Sequence, residues 1–147
     1  SESFANWYYE NHLLGYTYGR TLKDIFSDKY TGLDDINQIE ERPIDSRVTT
    51  IATIIDTYKG ISKNKNKYIR FELSDETGNF RAMIVNNKRD KTKVEDCESL
   101  NNGAPQKGSI VFVRGTKKED IIFVDVIADQ SQKVYTKLSE LKMSKSS

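Results

Sequence analysis

The chain has 147 residues, of which 36% are hydrophobic and 31% are charged, so it can form one domain of ordinary size plus an appendage. A single cysteine, Cys97, excludes a disulfide framework, and a single histidine, His12, argues against a zinc site. No apolar run approaches the roughly 20 residues of a membrane span, and no signal peptide is visible. We therefore expect a cytoplasmic protein with no cofactor, bound metal or membrane partner.

The net charge of +1 conceals an uneven distribution along the chain. Residues 1–45 carry a net charge of −5, residues 46–128 carry +4, and residues 129–147 carry +2. A basic region beside an acidic one is typical of nucleic-acid-binding proteins, although a merely soluble domain can show it too.

Residues 1–45 have the apolar spacing of short helices, so we assign them to a helical N-terminal segment. The expected helical turns contain Phe4, Trp7, Tyr8 and Leu14, then Leu22, Ile25 and Phe26, then Leu33, Ile36 and Ile39. The third is expected to begin near Thr31 or Gly32, and Pro43 ends the pattern. Elements this short bury little alone, so we expect the segment to dock on a neighbour and to come from a longer chain.

After Pro43 the apolar period changes from helical spacing to two, which predicts β-strands. The predicted strands are Val48–Tyr58, Tyr68–Leu73 and Phe80–Val85, with a polar loop at residues 59–66 and a turn at residues 74–78. The alternation predicts that Ile69, Phe71 and Leu73 face the core. It places Tyr68 and Arg70 on the opposite, outward side.

A charged stretch at residues 88–102 then predicts a short helix around Val94, Cys97 and Leu100 that ends near Gly103. Two further strands are predicted at residues 109–114 and 121–128, with a turn at residues 117–120, and an amphipathic helix at residues 133–143. Three strands, a helix and two strands predict a mainly β fold, the five-stranded OB-fold Greek-key barrel, over residues 46–128. Residues 129–147 form a C-terminal helix and tail, and a twisted open sheet is the competing fold.

Two stretches resemble OB-fold nucleic-acid-binding domains. Residues 70–80, RFELSDETGNF, resemble their second and third strands joined by an acidic turn, and residues 107–115, KGSIVFVRG, resemble their fourth strand. Such motifs are shared by aminoacyl-tRNA synthetase anticodon domains and several repair proteins.

A third stretch narrows the resemblance. Residues 10–16, ENHLLGY, resemble a segment of bacterial DNA polymerase III alpha subunits that leads into the OB domain of that polymerase. Where that family continues with Ser-x-His-Pro-Leu, this chain has Gly19-Arg20-Thr21-Leu22. The resemblance, to a bacterial or phage protein, implies an accessory region without the catalytic aspartates or metal-binding histidines. We therefore expect no catalytic residues and no enzyme activity.

Single-stranded nucleic acid binds where cations meet aromatic surfaces. Residues 59–93 contain ten basic and four acidic side chains. The candidate binding residues lie in the loop joining the first two strands, on the outward face of the second and third strands, and in the last hairpin loop. They are Lys59, Lys63, Lys65, Lys67, Tyr68, Arg70, Arg81, Lys117 and Lys118.

Each candidate also has a structural alternative. The lysines could form a solvated loop, Tyr68 could cap the barrel, and Arg70 could pair with a cross-strand charge. Asp75 and Glu76 lie in a turn, where a structural role is favoured over acid–base chemistry. The leading hypothesis is a non-catalytic module that binds single-stranded DNA, with other replication proteins as further partners. The alternatives are a protein-docking module of the replication machinery and an anticodon-type RNA-binding domain. The sequence does not fix an oligomeric state.

Overall fold

The computed structural model describes residues 32–133 and 136. The elements in chain order are α1 (Ile36–Glu41), β1 (Arg47–Ile61), β2 (Lys67–Asp75), β3 (Gly78–Val85), α2 (Lys93–Asn101), β4 (Ile110–Lys117) and β5 (Ile121–Asp129). The predicted order of three strands, a helix and two strands is therefore confirmed. The turns expected between Phe4 and Phe26, and nearly all of the helix expected at residues 133–143, lie outside the described residues.

The five strands form a closed barrel in the order β1-β2-β3-β5-β4. Every neighbouring pair is antiparallel except β3 and β5, which run parallel. Together with α2 between β3 and β4, this is the OB-fold architecture. The open-sheet alternative is excluded because the last strands close back onto the first.

The barrel interior is filled by the inward-facing side chains that the alternation predicts. Ile69, Phe71 and Leu73 of β2 are fully buried, and so are Ala82 of β3 and Ile122 of β5. Burying one such large apolar side chain stabilises the fold by about 1.5–3 kcal/mol. The core therefore holds β2 and β3 rigidly and fixes which of their side chains face outward.

A bulge divides β1 into two halves, and the alternation of inward-facing and outward-facing residues reverses between them. The pairing register with β2 shifts between Ile54 and Asp56. Val48, Ala52 and Ile54 face the core before the shift. After the shift Tyr58 pairs with Arg70, whose side chain is exposed. Because a bulge adds one residue to one strand only, it turns Tyr58 outward.

Helix α1 packs its two isoleucines, Ile36 and Ile39, into the barrel core. The helix was expected to begin near Thr31 or Gly32, but Asp35 is its N-cap residue. The β2–β3 turn fixes this start: the Ile36 N–H donates to Asp75 Oδ2 at 3.0 Å, and the Asn37 N–H donates to Thr77 Oγ1 at 3.0 Å. Oxygen acceptors from a distant turn thus satisfy N–H groups that a helix leaves unpaired.

Helix α2 confirms the predicted helix between the third and fourth strands. Val94 and Cys97 are its buried residues, and it ends where Asn102 and Gly103 adopt positive φ angles of 57° and 111°. Burial raises the pKa of the Cys97 thiol to about 11. No helix in residues 32–133 is long and apolar enough to cross a membrane.

Candidate nucleic-acid interface

Outward-facing side chains of β1, β2, β3 and β5 form one continuous surface, which we call the four-strand face. Its central row consists of Tyr58, Arg70, Met83 and Phe123, each paired with the next across neighbouring strands. Paired residues share a face of a sheet, and strands lie about 4.8 Å apart, so this row spans about 14 Å. Tyr58 is 50% exposed and Phe123 is 41% exposed, so aromatic rings reach solvent at both ends of the row.

A pair of tyrosines and an arginine form the aromatic part of this face. The Tyr58 and Tyr68 ring centroids lie 6.1 Å apart with a 43° angle between the planes. The Arg70 guanidinium carbon lies 5.2 Å from the Tyr58 ring centroid, within cation–π distance. This arrangement offers flat apolar surface beside a positive charge, which suits an unpaired base and its phosphate.

Gly60 lies beneath both tyrosine rings because it is the cross-strand partner of Tyr68. A Cβ atom added to Gly60 would lie 2.7 Å from Tyr68 Oη and 2.9 Å from Tyr58 Cε2. Any larger residue must push the rings away. The absence of a side chain at this position therefore sets the height and spacing of the ring pair.

Lys63 and Lys65 project from the loop between β1 and β2 and are exposed. The loop is tight: the Ser62 N–H donates to the Asn66 carbonyl at 2.8 Å, and the Lys65 N–H donates to the Ser62 carbonyl at 2.9 Å. Neither lysine forms an ion pair with a residue of the described chain. These two ammonium groups are available to phosphates beside Tyr68.

Lys59 and Lys67 are placed differently from the sequence prediction. Lys59 lies in β1 rather than in the loop, and its Nζ contacts Glu98 Oε2 at 2.5 Å. Lys67 begins β2, and its Nζ contacts Glu95 Oε2 at 3.1 Å. Both side chains are therefore directed to α2, on the side of β2 opposite Tyr68.

Glu95 links Lys67 to the loop that follows β3. Its Oε1 accepts a hydrogen bond of 2.9 Å from the Asn86 side-chain amide. Hydrogen bonds from Asn86, from its own backbone N–H and from Lys67 lower the pKa of the Glu95 carboxyl. The carboxylate is therefore ionised at neutral pH and pairs with the Lys67 ammonium.

Lys117 is a correction to the predicted site. It lies in β4, not in the last hairpin loop, and it is 5% exposed. Its Nζ donates to the Glu40 carbonyl at 2.6 Å and to the Arg42 carbonyl at 2.7 Å. The strand runs three residues further than predicted, and this ammonium satisfies carbonyls at the end of α1. Lys118 is less buried and pairs with Asp45.

Arg81 lies on the four-strand face as predicted and pairs across the strands with Glu72. The two residues border an open cavity of about 410 Å³ between β3, α1 and the β4–β5 loop. Its other carboxylates come from Glu40, Glu119 and Asp120. The face is thus aromatic and basic near the β1–β2 loop and rich in carboxylates at its other end.

Asp125, outward on β5 two residues beyond Phe123, is neutralised by two cations. Its Oδ2 contacts Arg47 Nη1 at 2.5 Å and its Oδ1 contacts Lys93 Nζ at 3.0 Å. Burial opposes ionisation, but these hydrogen bonds lower the pKa of the Asp125 carboxyl. The carboxylate nearest to Phe123 along β5 is therefore already paired.

Asp35, Asp75 and Glu76 approach one another, with carboxylate oxygens within 4.8 Å. Asp75 Oδ1 accepts from the Thr77 N–H at 2.7 Å and from the Gly78 N–H at 3.2 Å, and its Oδ2 accepts from α1. This confirms the predicted structural role of the acidic turn, in which the aspartate bonds its own backbone.

Sequence reasoning missed Tyr58, Met83 and Phe123. Uniform alternation along β1 places Tyr58 on the same side as Val48 and Ala52, and only the bulge reverses it. Phe123 joins the row through the parallel β3–β5 pairing, a contact between distant segments. Phe123 does alternate with the buried Ile122 and Val124, and this signal could have marked it as outward.

Comparisons with known proteins give structural likeness only. No family model matches the sequence, and no curated protein matches it. One similar solved structure is the second OB-fold domain of replication protein A from Methanococcus maripaludis, with a TM-score of 0.47 and 20% identity over 67% of this chain and 94% of that one.

Two others are an aspartyl-tRNA synthetase from Entamoeba histolytica and a complex of yeast Stn1 and Ten1. The synthetase has a TM-score of 0.47 and 16% identity over 67% of this chain. The Stn1–Ten1 match has a TM-score of 0.45 and 7% identity over 67% of this chain. The matched region spans 21% of the synthetase chain and 52% of the Stn1–Ten1 chain.

Proposed function

We propose that this chain binds single-stranded DNA on the four-strand face, without catalysing a reaction. The row of Tyr58, Arg70, Met83 and Phe123, with Tyr68 beside it, is the observation that carries the proposal. Successive bases stack on aromatic rings irrespective of sequence, and each stacked base is worth about 1–3 kcal/mol. Arg70 is the cation within this row.

Lys63 and Lys65 supply the electrostatic part of the binding. They are exposed, and they flank the strand that carries Tyr68. Each phosphate that a lysine neutralises releases counterions, so affinity falls as salt rises. Lys59, Lys67 and Lys118 are secondary contributors because each is held by a carboxylate. Lys117 is no part of the proposed site because its ammonium is buried against carbonyls.

The biological setting that we propose is replication, in the cytoplasm, as an accessory region of a polymerase III alpha-like protein. This rests on the resemblance of residues 10–16 and on the OB-fold of residues 47–129. An anticodon-type RNA-binding role uses the same face. The two differ in the ligand, because only RNA offers a 2′-hydroxyl to the protein.

Fluorescence anisotropy with labelled oligonucleotides tests the proposal. We expect a DNA 11-mer of thymidine to bind with a dissociation constant that rises steeply between 50 and 200 mM salt. We also expect it to bind more tightly than an RNA 11-mer of uridine. Tighter binding of the RNA favours the anticodon-type role. Absence of binding to both at 50 mM salt overturns the proposal and leaves protein docking as the function of this face.

A further inference from the structure

The cavity at the carboxylate-rich end of the four-strand face has no role in the proposed stacking on the central row. Its volume of about 410 Å³ falls in the range of about 300–1,000 Å³ that is usual for small-molecule sites. It is lined by one ring, one guanidinium, one amide and four carboxylates: Phe80, Arg81, Asn79, Glu40, Glu72, Glu119 and Asp120.

The charges in this cavity disfavour an anionic ligand, because four carboxylates outnumber the Arg81 guanidinium. A metal ion or an ammonium group would leave the hydrogen-bond donors of Arg81 unused. Within residues 32–133 neither Arg81 nor any of these carboxylates forms an ion pair. The Arg81 donors and the carboxylate acceptors can therefore bind a ligand. A neutral ligand with both hydrogen-bond donors and acceptors fits this arrangement.

Phe80 adds an aromatic surface that favours a flat ligand. Its ring is half-buried, packs against the barrel core and lines the cavity. A ring fixed by the core can stack on a planar ligand without loss of side-chain freedom. Nucleobases are planar, neutral and polar at their edges, and proteins read unstacked bases by stacking and by hydrogen bonds to those edges.

The cavity also lies about one nucleotide away from the central row. Glu72 and Arg81 are two residues along their strands from Arg70 and Met83, a step of about 7 Å. A strand whose bases stack on Tyr58 and Phe123 thus brings an adjacent base to the cavity. Its phosphates remain outside the cavity, toward solvent.

We propose that this cavity is a guanine-selective subsite of the DNA-binding face. Guanine offers N1–H and N2–H donors to carboxylates such as Glu72 and offers O6 and N7 acceptors to Arg81, the commonest base contact of arginine. Guanine can donate to more of the carboxylates than the other bases can, because it has both a ring N–H and an amino group at its edge. Thymine has only a ring N–H, and adenine and cytosine have only an amino group each. The inference rests on the proposed function, because the strand must first lie on the four-strand face.

The test compares labelled thymidine 11-mers that carry a single central substitution. We expect a central guanine to tighten binding about tenfold over the all-thymidine oligomer. Hypoxanthine, which lacks the 2-amino group, should recover only part of that gain. Glu72→Gln should remove most of the guanine preference, whereas Glu76→Gln, a charge-matched control in the exposed β2–β3 turn, should retain it.

The outcomes separate the two proposals. If the all-thymidine oligomer does not bind, the proposed function fails. If it binds but guanine gives no preference, or cytosine or adenine is preferred, only the guanine subsite is overturned. A guanine preference that persists unchanged in folded Glu72→Gln protein also overturns it. Amide resonances measured by NMR give a further test. If a lysine-rich peptide shifts the resonances of residues 79–81 and the guanine oligomer does not, the guanine subsite is overturned, because the cavity is then a basic-peptide site.

Discussion

The two ends of the four-strand face use the same strands but have opposite chemistry. Tyr58, Tyr68 and Arg70 form an aromatic and cationic surface, whereas two residues further along the strands Glu72 and Arg81 border a carboxylate-lined cavity. The strands place both sets outward by the same alternation. The difference comes from the segments that flank them, lysines in the β1–β2 loop and carboxylates in α1 and the β4–β5 loop. The sheet thus provides position, and the flanking segments provide the difference in charge.

The most damaging change removes the core beneath both ends. Phe71 is fully buried between Arg70 and Glu72. We expect Phe71→Ala to lower the free energy of unfolding by about 3–5 kcal/mol, because it leaves a cavity at the centre of β2. Urea unfolding measures the loss. DNA binding and guanine preference should fall together, and a variant with wild-type stability would show that the barrel does not depend on this ring.

Loss of a tyrosine ring should affect one end and leave the fold intact. We expect Tyr58→Ala and Tyr68→Ala each to weaken binding of the thymidine 11-mer by about 1–3 kcal/mol, the value of one stacked base. Anisotropy gives the loss, and thermal unfolding checks the fold. Leu100→Ala is the control, because Leu100 is 61% exposed on α2, away from the face. Equal losses in all three variants would contradict stacking.

Substitution of Gly60 tests the position of the two tyrosine rings without removing them. We expect Gly60→Ala to weaken binding about threefold to tenfold, part of the roughly 1–3 kcal/mol of a stacked base, because the added methyl displaces both rings. The displaced atoms are ends of side chains, so the stability should change little. Gly78→Ala is the matched control, since its Cβ meets ordinary contacts at 3.6 Å. Wild-type affinity of Gly60→Ala would show that ring height is unimportant.

The loop lysines should set the salt dependence of binding. We expect Lys63→Gln with Lys65→Gln to reduce the slope of log affinity against log salt by up to about 1.4, because each single-strand phosphate contact contributes about 0.7. A double variant at two other exposed lysines, Lys91 and Lys107, keeps the same net charge and should retain the slope. Identical slopes in both double variants would place the phosphates elsewhere.

The smallest effect is expected at Glu95. Its pKa is lowered in the folded state, so its stabilising contribution is present above the ordinary value of 4.5 and is lost as the pH falls through the folded pKa. We expect Glu95→Gln to flatten the stability profile in that acidic window and, at pH 7, to raise DNA affinity about twofold at low salt by releasing Lys67. Urea unfolding at several pH values and anisotropy measure these two effects. An unchanged acid profile would show that the hydrogen bonds to the Glu95 carboxylate, from Asn86, from its own backbone N–H and from Lys67, do not persist in solution.

The sequence predicted those parts of the molecule that depend on local patterns. Period-two alternation found β2 and β3 with their correct faces, and the Asp75 turn and the Gly103 stop were visible as single residues. The bulge at Ile54/Asp56 was not predictable, because alternation carries no marker for one extra residue, and it hid Tyr58. Lys117 was misplaced because strand ends depend on contacts with a distant segment, here the carbonyls of α1. The cavity likewise joins residues from separate parts of the chain.

The parallel contact between β3 and β5 is the shortest seam of the barrel, with only three paired positions: Arg81 with Ile121, Ala82 with Ile122, and Met83 with Phe123. Local opening is easiest where the fewest backbone hydrogen bonds must break, so we expect opening of the barrel to begin between β3 and β5. The proposed ligand contacts lie on both sides of it, with Arg81 and Met83 on one strand and Phe123 on the other. We therefore expect a strand bound on the proposed face to hold β3 and β5 together and to slow local opening of the barrel.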